Sequence, residues 1–117
     1  MKLPGPDHPI AIAPTQGRVL VKIGGEIVAD TRNALTLTEA SYPPVQYIPR
    51  EDARMDKLTR STHQTHCPYK GDAAYYSLTT GTENLIWTYE QPYPAVAEIG
   101  GHLAFYPNKV DSIEILP

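Results

Sequence analysis

A chain of 117 residues with a formal net charge of −3 has room for one domain and lacks the clustered basic charge needed to grip a nucleic-acid backbone. Its single cysteine excludes an internal disulfide and any zinc site built from paired CxxC elements, and points to a reducing, cytoplasmic setting. Twelve prolines leave little room for long helices, while eight tyrosines against one phenylalanine favour strands whose polar tips reach into a cleft.

Residues 1–16 show neither helical nor strand periodicity and read as a proline-rich arm, packed late or mobile, ahead of a single β domain at 17–117. Pro4, Pro6, Pro9 and Pro14 interrupt every apolar run there, so neither a secretory signal nor a membrane span is expected and the chain reads as soluble. From Arg18 the pattern changes. RVLVKI puts Val19, Val21 and Ile23 on one face, and Gly24-Gly25 separates it from EIVAD. That spacing predicts a tight hairpin, because a primed turn needs positive φ at its central positions and glycine supplies it without steric cost. ALTLTE at 34–39 alternates Leu35 and Leu37 with threonines and predicts a third strand; VQYI, after Tyr42-Pro43-Pro44, predicts a fourth that Pro49 ends. REDARMDKL is charged and long enough for one short helical turn, with Glu51 and Asp52 near its start. AYYSLTT and LIWTYE flank a turn containing Gly81 and predict a second hairpin; HLAFY and VDSIEIL, joined by Pro107-Asn108-Lys109, predict a third. PYPAVAEIGG between them is a loop with room for a helical turn at 94–98. The sum is an all-β domain of about eight short, mostly antiparallel strands, either a sandwich or two sheets leaning together.

Three clusters could carry chemistry. In THCPYKGDAAYY, Cys67 stands beside His66 and three residues before Lys70, so His66, Lys70 and the turn amides ahead of Gly71 could stabilise a thiolate; equally, Cys67 fits a small buried hydrophobe. His63, His66 and Cys67, with His102 at a distance, could ligate zinc, but their spacing matches no common zinc pattern and surface histidines on a polar loop explain them as well. Arg50, Glu51, Asp52, Arg54 and Asp56 alternate in sign, as a solvated turn does, or else Arg50 or Arg54 turns inward as an anion clamp sharing a wall with Tyr47. In WTYE, Trp87 and Tyr89 share a strand face, which makes them core or, with Tyr75 or Tyr76, a stacking surface for a planar or cationic ligand. No phosphate loop, dinucleotide fingerprint, nucleophile elbow or HExxH motif is present.

The succession GGEIVADT, YPPVQYIPREDARMD, THCPYKGDAAYYSL, WTYEQPYP and FYPNKVD resembles, in order and spacing, the bacterial and fungal family known as domain of unknown function 427, across roughly residues 17–115. The resemblance implies a β-tent fold, in which two antiparallel sheets meet along one edge and diverge at the other around a cleft. Such a fold is similar in outline to methionine sulfoxide reductase B and to the thalidomide-binding domain of cereblon. Many proteins of that fold hold a structural zinc through two CxxC pairs, which this chain lacks, so no metal or cofactor is expected. The family sometimes carries a nucleotidyltransferase label; that chemistry needs adjacent carboxylates for divalent cations and a glycine-rich phosphate support, and the chain offers Asp52 and Asp56 on a charged turn without either. The shared site that the resemblance implies comprises Tyr47, Arg50, Asp52, Arg54, Cys67, Lys70, Gly71, Tyr75, Trp87 and Tyr89.

The leading expectation is therefore a small-molecule pocket with an aromatic wall from Tyr47, Tyr75, Trp87 and Tyr89, and with Arg50, Arg54 and Lys70 orienting a polar or anionic ligand. An enzyme using Cys67 with His66 and Lys70, for group transfer or thiol redox chemistry, is the alternative. A third reading is a non-catalytic homodimeric interaction module joined through an edge strand or the N-terminal arm. Neither nucleic acid nor a membrane is expected as a partner.

Overall fold

The computed structural model describes every residue, Met1–Pro117. Ten strands follow one another: β1 (Ile10–Pro14), β2 (Arg18–Ile23), β3 (Glu26–Thr31), β4 (Leu35–Glu39), β5 (Val45–Tyr47), β6 (Leu58–Cys67), β7 (Gly71–Leu78), β8 (Ile86–Thr88), β9 (Leu103–Phe105) and β10 (Ser112–Leu116). All pairings are antiparallel, only short 3-10 turns interrupt them, and no helix is long and apolar enough to cross a membrane. The all-β class follows from composition: prolines break helices, and β-branched and tyrosine side chains suit a pleated surface.

The strands form three hydrogen-bonded sheets, β1-β4-β5, β10-β2-β3 and β6-β7-β8-β9. The first and last are joined where Ile48, just past β5, and Leu103 of β9 exchange backbone hydrogen bonds of 2.8 and 2.7 Å. The four-stranded sheet lies between the other two, and the alternation of its side chains divides the interior. Tyr76, Ile86, Leu103 and Phe105 face β2 and β3, where Val19, Val21 and Val28 meet them. Ala73, Tyr75 and Ala104 face the opposite way, toward Leu37 of β4 and Tyr47 of β5. Ile86 and Leu103 are wholly buried, each worth about 1.5–3 kcal/mol relative to exposure.

The glycine hairpin forms as β2 and β3, the strand at 34–39 as β4, and VQYI as β5. The charged segment makes two 3-10 turns, Arg50–Asp52 and Met55–Lys57, and another spans Pro94–Ile99. β7 and β8 pair as expected, with Tyr75 opposite Trp87.

The third hairpin does not form. β9 and β10 are strands, but β9 is occupied by β8 on one side and by Ile48 on the other, so no edge remains for β10. The 3-10 turn Pro107–Lys109 instead carries the chain across to β2, where Ile113 lies opposite Val21. Two strands escape the sequence patterns. Residues 10–14, expected in the arm, form β1 and pair with β4 from Ile10 opposite Glu39 to Pro14 opposite Leu35; the Lys2 amide donates to the Pro68 carbonyl at 2.8 Å. β6, LTRSTHQTHC, has almost no apolar side chain because it is an edge strand paired only with β7. Its register slips between Arg60 and Gln64, and such an irregularity, with charged side chains, blunts an exposed edge.

Of the glycines, Gly17 leaves the least room for a side chain. Its φ is +99°, and a Cβ there would fall 2.0 Å from the Leu116 carbonyl oxygen, a backbone atom that β10 holds in place. Gly17→Ala should therefore destabilise by about 2 kcal/mol or more in urea unfolding, whereas Gly25→Ala, with φ +80° but open space around it, should cost about 1–2 kcal/mol. Equal costs would show that the β10 contact is not a constraint.

Candidate functional site

A cavity of about 580 Å³ lies between β4-β5 on one side and β7-β8 on the other. Strand periodicity builds it. Leu35, Leu37 and Glu39 share one face of β4, and Val45 and Tyr47 share one face of β5, with Gln46 turned away to bond Thr15 and Thr36. From the facing sheet come Tyr75 and Trp87, cross-strand neighbours, followed by Tyr89. Tyr42, Pro43 and Pro44 form one rim, Tyr106 and Pro107 another, and Lys70 enters from the turn between β6 and β7.

The aromatic rings interlock. Trp87 Nε1–H donates to the Tyr47 hydroxyl at 3.2 Å, with the two rings edge to face at 6.4 Å between centroids. Tyr106 leans on Trp87 at 4.5 Å and lies parallel to Tyr75 at 6.5 Å. The Tyr75 hydroxyl is 2.9 Å from Thr65 Oγ1 and 3.4 Å from the Tyr106 hydroxyl, and His63 meets the Tyr75 ring edge-on at 4.5 Å. Burial pushes the hydroxyls of Tyr47 and Tyr89 well above the usual phenol range, so both stay protonated as O–H. Burial, and then the bond to Tyr75, pushes Tyr106 up to about 12.

One end of the cavity is polar. The Lys70 ammonium, in a residue only 8% exposed, donates to Glu39 Oε1. His8 Nε2 lies 2.7 Å from Glu39 Oε2, and its ring stacks flat on Tyr69 at 3.9 Å. Burial alone would raise the Glu39 carboxyl, but the hydrogen bonds from Lys70 and His8 outweigh it and hold Glu39 below the usual carboxylate range.

Of the residues expected in a site, Tyr47, Lys70, Tyr75, Trp87 and Tyr89 line this one space. Arg50, Asp52 and Arg54 do not. The Arg50 guanidinium donates to the Tyr76 hydroxyl at 2.9 Å and covers that ring, and Tyr76, one residue after Tyr75, faces the opposite core. Asp52 accepts from Thr31 Oγ1 at 2.7 Å and pins the 3-10 turn to the end of β3. Arg54 forks onto Asp56 in solvent, so neither arginine forms the expected clamp. Gly71 opens β7 at φ +110°, a conformation that lets the chain reverse after Lys70, whose carbonyl accepts from the Tyr93 amide. Cys67 ends β6 half-buried against the cluster containing Tyr47 and Tyr89. His66 points to the other face of β6, 2.7 Å from Asp72 Oδ1 in solvent, because the strand runs straight through both residues before it turns. A His66–Cys67 pair is therefore not assembled. His63 on Tyr75, His66 on Asp72 and His102 against the Gly100 carbonyl also have separate surroundings, and no three metal-ligating side chains gather.

Sequence reasoning passed over Glu39, His8 and Tyr106. Glu39 had a signal: an acidic side chain in phase with Leu35 and Leu37 sits where the strand faces inward. His8 had none, since its position depends on β1 pairing with β4.

The family described as Domain of unknown function (DUF427) matches residues 11–115. The chain belongs to this family. The match takes in nearly all of β1 as well as the segments from which the resemblance was drawn, so the DUF427 unit includes the strand that aligns Glu39. Comparison with curated proteins finds no match.

The polar end of this DUF427 cavity makes acid stability testable. A carboxyl held below the ordinary glutamate value of about 4.3 favours the folded state above that pH and loses its contribution as pH falls through the folded value. Glu39→Gln should thus melt below the wild type at pH 7, and the gap should close as thermal unfolding is followed from pH 5 toward pH 3. A gap independent of pH would mean that Glu39 is held by packing alone.

Proposed function

We propose that the chain binds a small planar molecule by stacking it against the aromatic wall of the cavity between β4-β5 and β7-β8. The observation that supports this reading is the convergence of Tyr47, Tyr75, Trp87, Tyr89 and Tyr106, from well-separated parts of the chain, on one open space of about 580 Å³. That volume lies within the range of small-ligand pockets, and a wall rich in rings with a few polar groups at one end is the usual makeup of such sites. Ring edges and faces left toward an open space retain stacking capacity that a filled core would have consumed. The single cysteine, which admits no internal disulfide, favours a metabolite of a reducing compartment as the ligand class.

The basic contribution to this reading differs from the one the sequence suggested. With Arg50 on Tyr76 and Arg54 on Asp56, Lys70 is the one basic side chain that supports ligand orientation. Recognition then rests on ring contacts and a few directed hydrogen bonds, without a cationic clamp.

Trp87 is the only tryptophan, so its emission reports on the cavity directly. A library of planar aromatic and heteroaromatic metabolites, neutral, cationic and anionic, should contain compounds that change Trp87 emission and raise the melting temperature. Tyr106→Ala, which removes a rim ring and leaves Tyr47 in place, should weaken those compounds about 3- to 10-fold. A library that leaves both emission and melting temperature unchanged would remove the proposal.

A further inference from the structure

Resting on that reading, the balance of hydrogen-bond donors and acceptors in the cavity narrows the ligand further. Most polar groups of the wall are already used. The Trp87 N–H is given to Tyr47, and the Tyr75 hydroxyl is engaged by Thr65 and Tyr106. Each Glu39 oxygen already accepts one bond, Oε1 from Lys70 and Oε2 from His8. An amine entering the cavity would compete with Lys70 for that carboxylate and bring its charge beside the ammonium.

Besides the O–H bonds of Tyr42 at the rim and of Tyr47, whose oxygen accepts from Trp87, two groups keep donor capacity beside Glu39 and the Tyr89 ring. The Lys70 ammonium has three N–H bonds and directs one hydrogen bond to Glu39, its only partner. The Tyr89 hydroxyl makes no hydrogen bond within the chain although the residue is only 6% exposed and lines the cavity. The hydroxyl is not among the fully buried unpartnered atoms of the chain, so it is reachable from the cavity and free to bond a ligand. The Lys70 amine stands 5.9 Å from the centre of the Tyr89 ring, so the two residues are neighbours in the cavity wall. His8 satisfies the outer oxygen of Glu39, which leaves Lys70 able to share its charge with a second acceptor.

We infer that the ligand is a planar aromatic carboxylate, its ring laid against Trp87 and its two carboxylate oxygens received by Lys70 and Tyr89. Two acceptor oxygens suit the Lys70 ammonium and the Tyr89 hydroxyl, and a charge-assisted bond from an ammonium is roughly twice as strong as a neutral one. A neutral amide offers a single uncharged acceptor oxygen and forgoes the charge-assisted bond. A cationic amine places its charge beside Lys70.

Titration of Trp87 emission with benzoate, benzamide and benzylamine, three single-ring ligands of similar size, tests the assignment. Benzoate should bind about tenfold or more tightly than either of the others. Tyr89→Phe should weaken benzoate about fivefold without lowering the melting temperature, since the hydroxyl has no partner in the chain to lose. Benzamide or benzylamine binding as well as benzoate would overturn the carboxylate assignment and leave planar-ring binding standing. Benzoate bound equally by wild type and Tyr89→Phe would overturn the role of Tyr89. Absence of any benzoate signal would overturn the inference outright, and hits among the neutral or cationic compounds of the broader library would still uphold the cavity as a binding site.

Discussion

The pair of backbone hydrogen bonds between Ile48 and Leu103 is the constraint from which the architecture follows. It closes the edge of β9 that β8 leaves open and ties β5 to the four-stranded sheet at one end. Two consequences come from that seam. β10 must find its partner in β2, which supplies a separate sheet to cover the other face of β7, β8 and β9. And because β5 is fixed to β9, Tyr47 is held across from Trp87 at the distance of an edge-to-face contact, with space left beyond them. The cavity is the gap between two sheets that share an edge.

A four-stranded sheet covered on both faces makes neighbouring residues strangers to one another. Tyr75 and Tyr76 differ by one position, yet one contributes to the cavity and the other lies under Arg50 in a different core. The same rule separates Cys67 from His66, and it explains why proximity in sequence was a poor guide to the site. Residues two apart on one face or directly opposite across a ladder share surroundings, as Leu37 with Glu39 and Tyr75 with Trp87 do.

Much of the fold was legible where one face of a strand is apolar and the turn has a required chemistry. RVLVKI-GG-EIVAD satisfies both, and so does the alternation of Leu35 and Leu37 with threonines. β6 was not legible because an edge strand facing solvent has no apolar face to show, and β1 was not because its five residues follow three prolines. The aromatic half of the site could be inferred from composition: so many tyrosines in a small β domain exceed what a core can bury with satisfied hydroxyls. The polar half could not. Glu39, Lys70 and His8 come from β4, a turn and the segment before β1, and they meet only because Ile10 pairs with Glu39 and brings the start of the chain over the cavity end. That pairing is long-range, and no local pattern encodes it.

The ion cluster also bears on why this end of the cavity keeps its shape. Removing a lysine and a glutamate from water costs more than their attraction alone recovers unless other hydrogen bonds complete the carboxylate. His8 does so from the outside, braced by its stack on Tyr69, and Lys70 is turned inward over the Tyr89 ring. A buried pair of this kind contributes orientation more than net stability: a neutral apolar replacement could pack the same volume, but it could not aim an N–H into the cavity. The tyrosine hydroxyls follow the same logic. Those of Tyr47 and Tyr75 bond to neighbours and fix the rings, while that of Tyr89 has no partner within the chain.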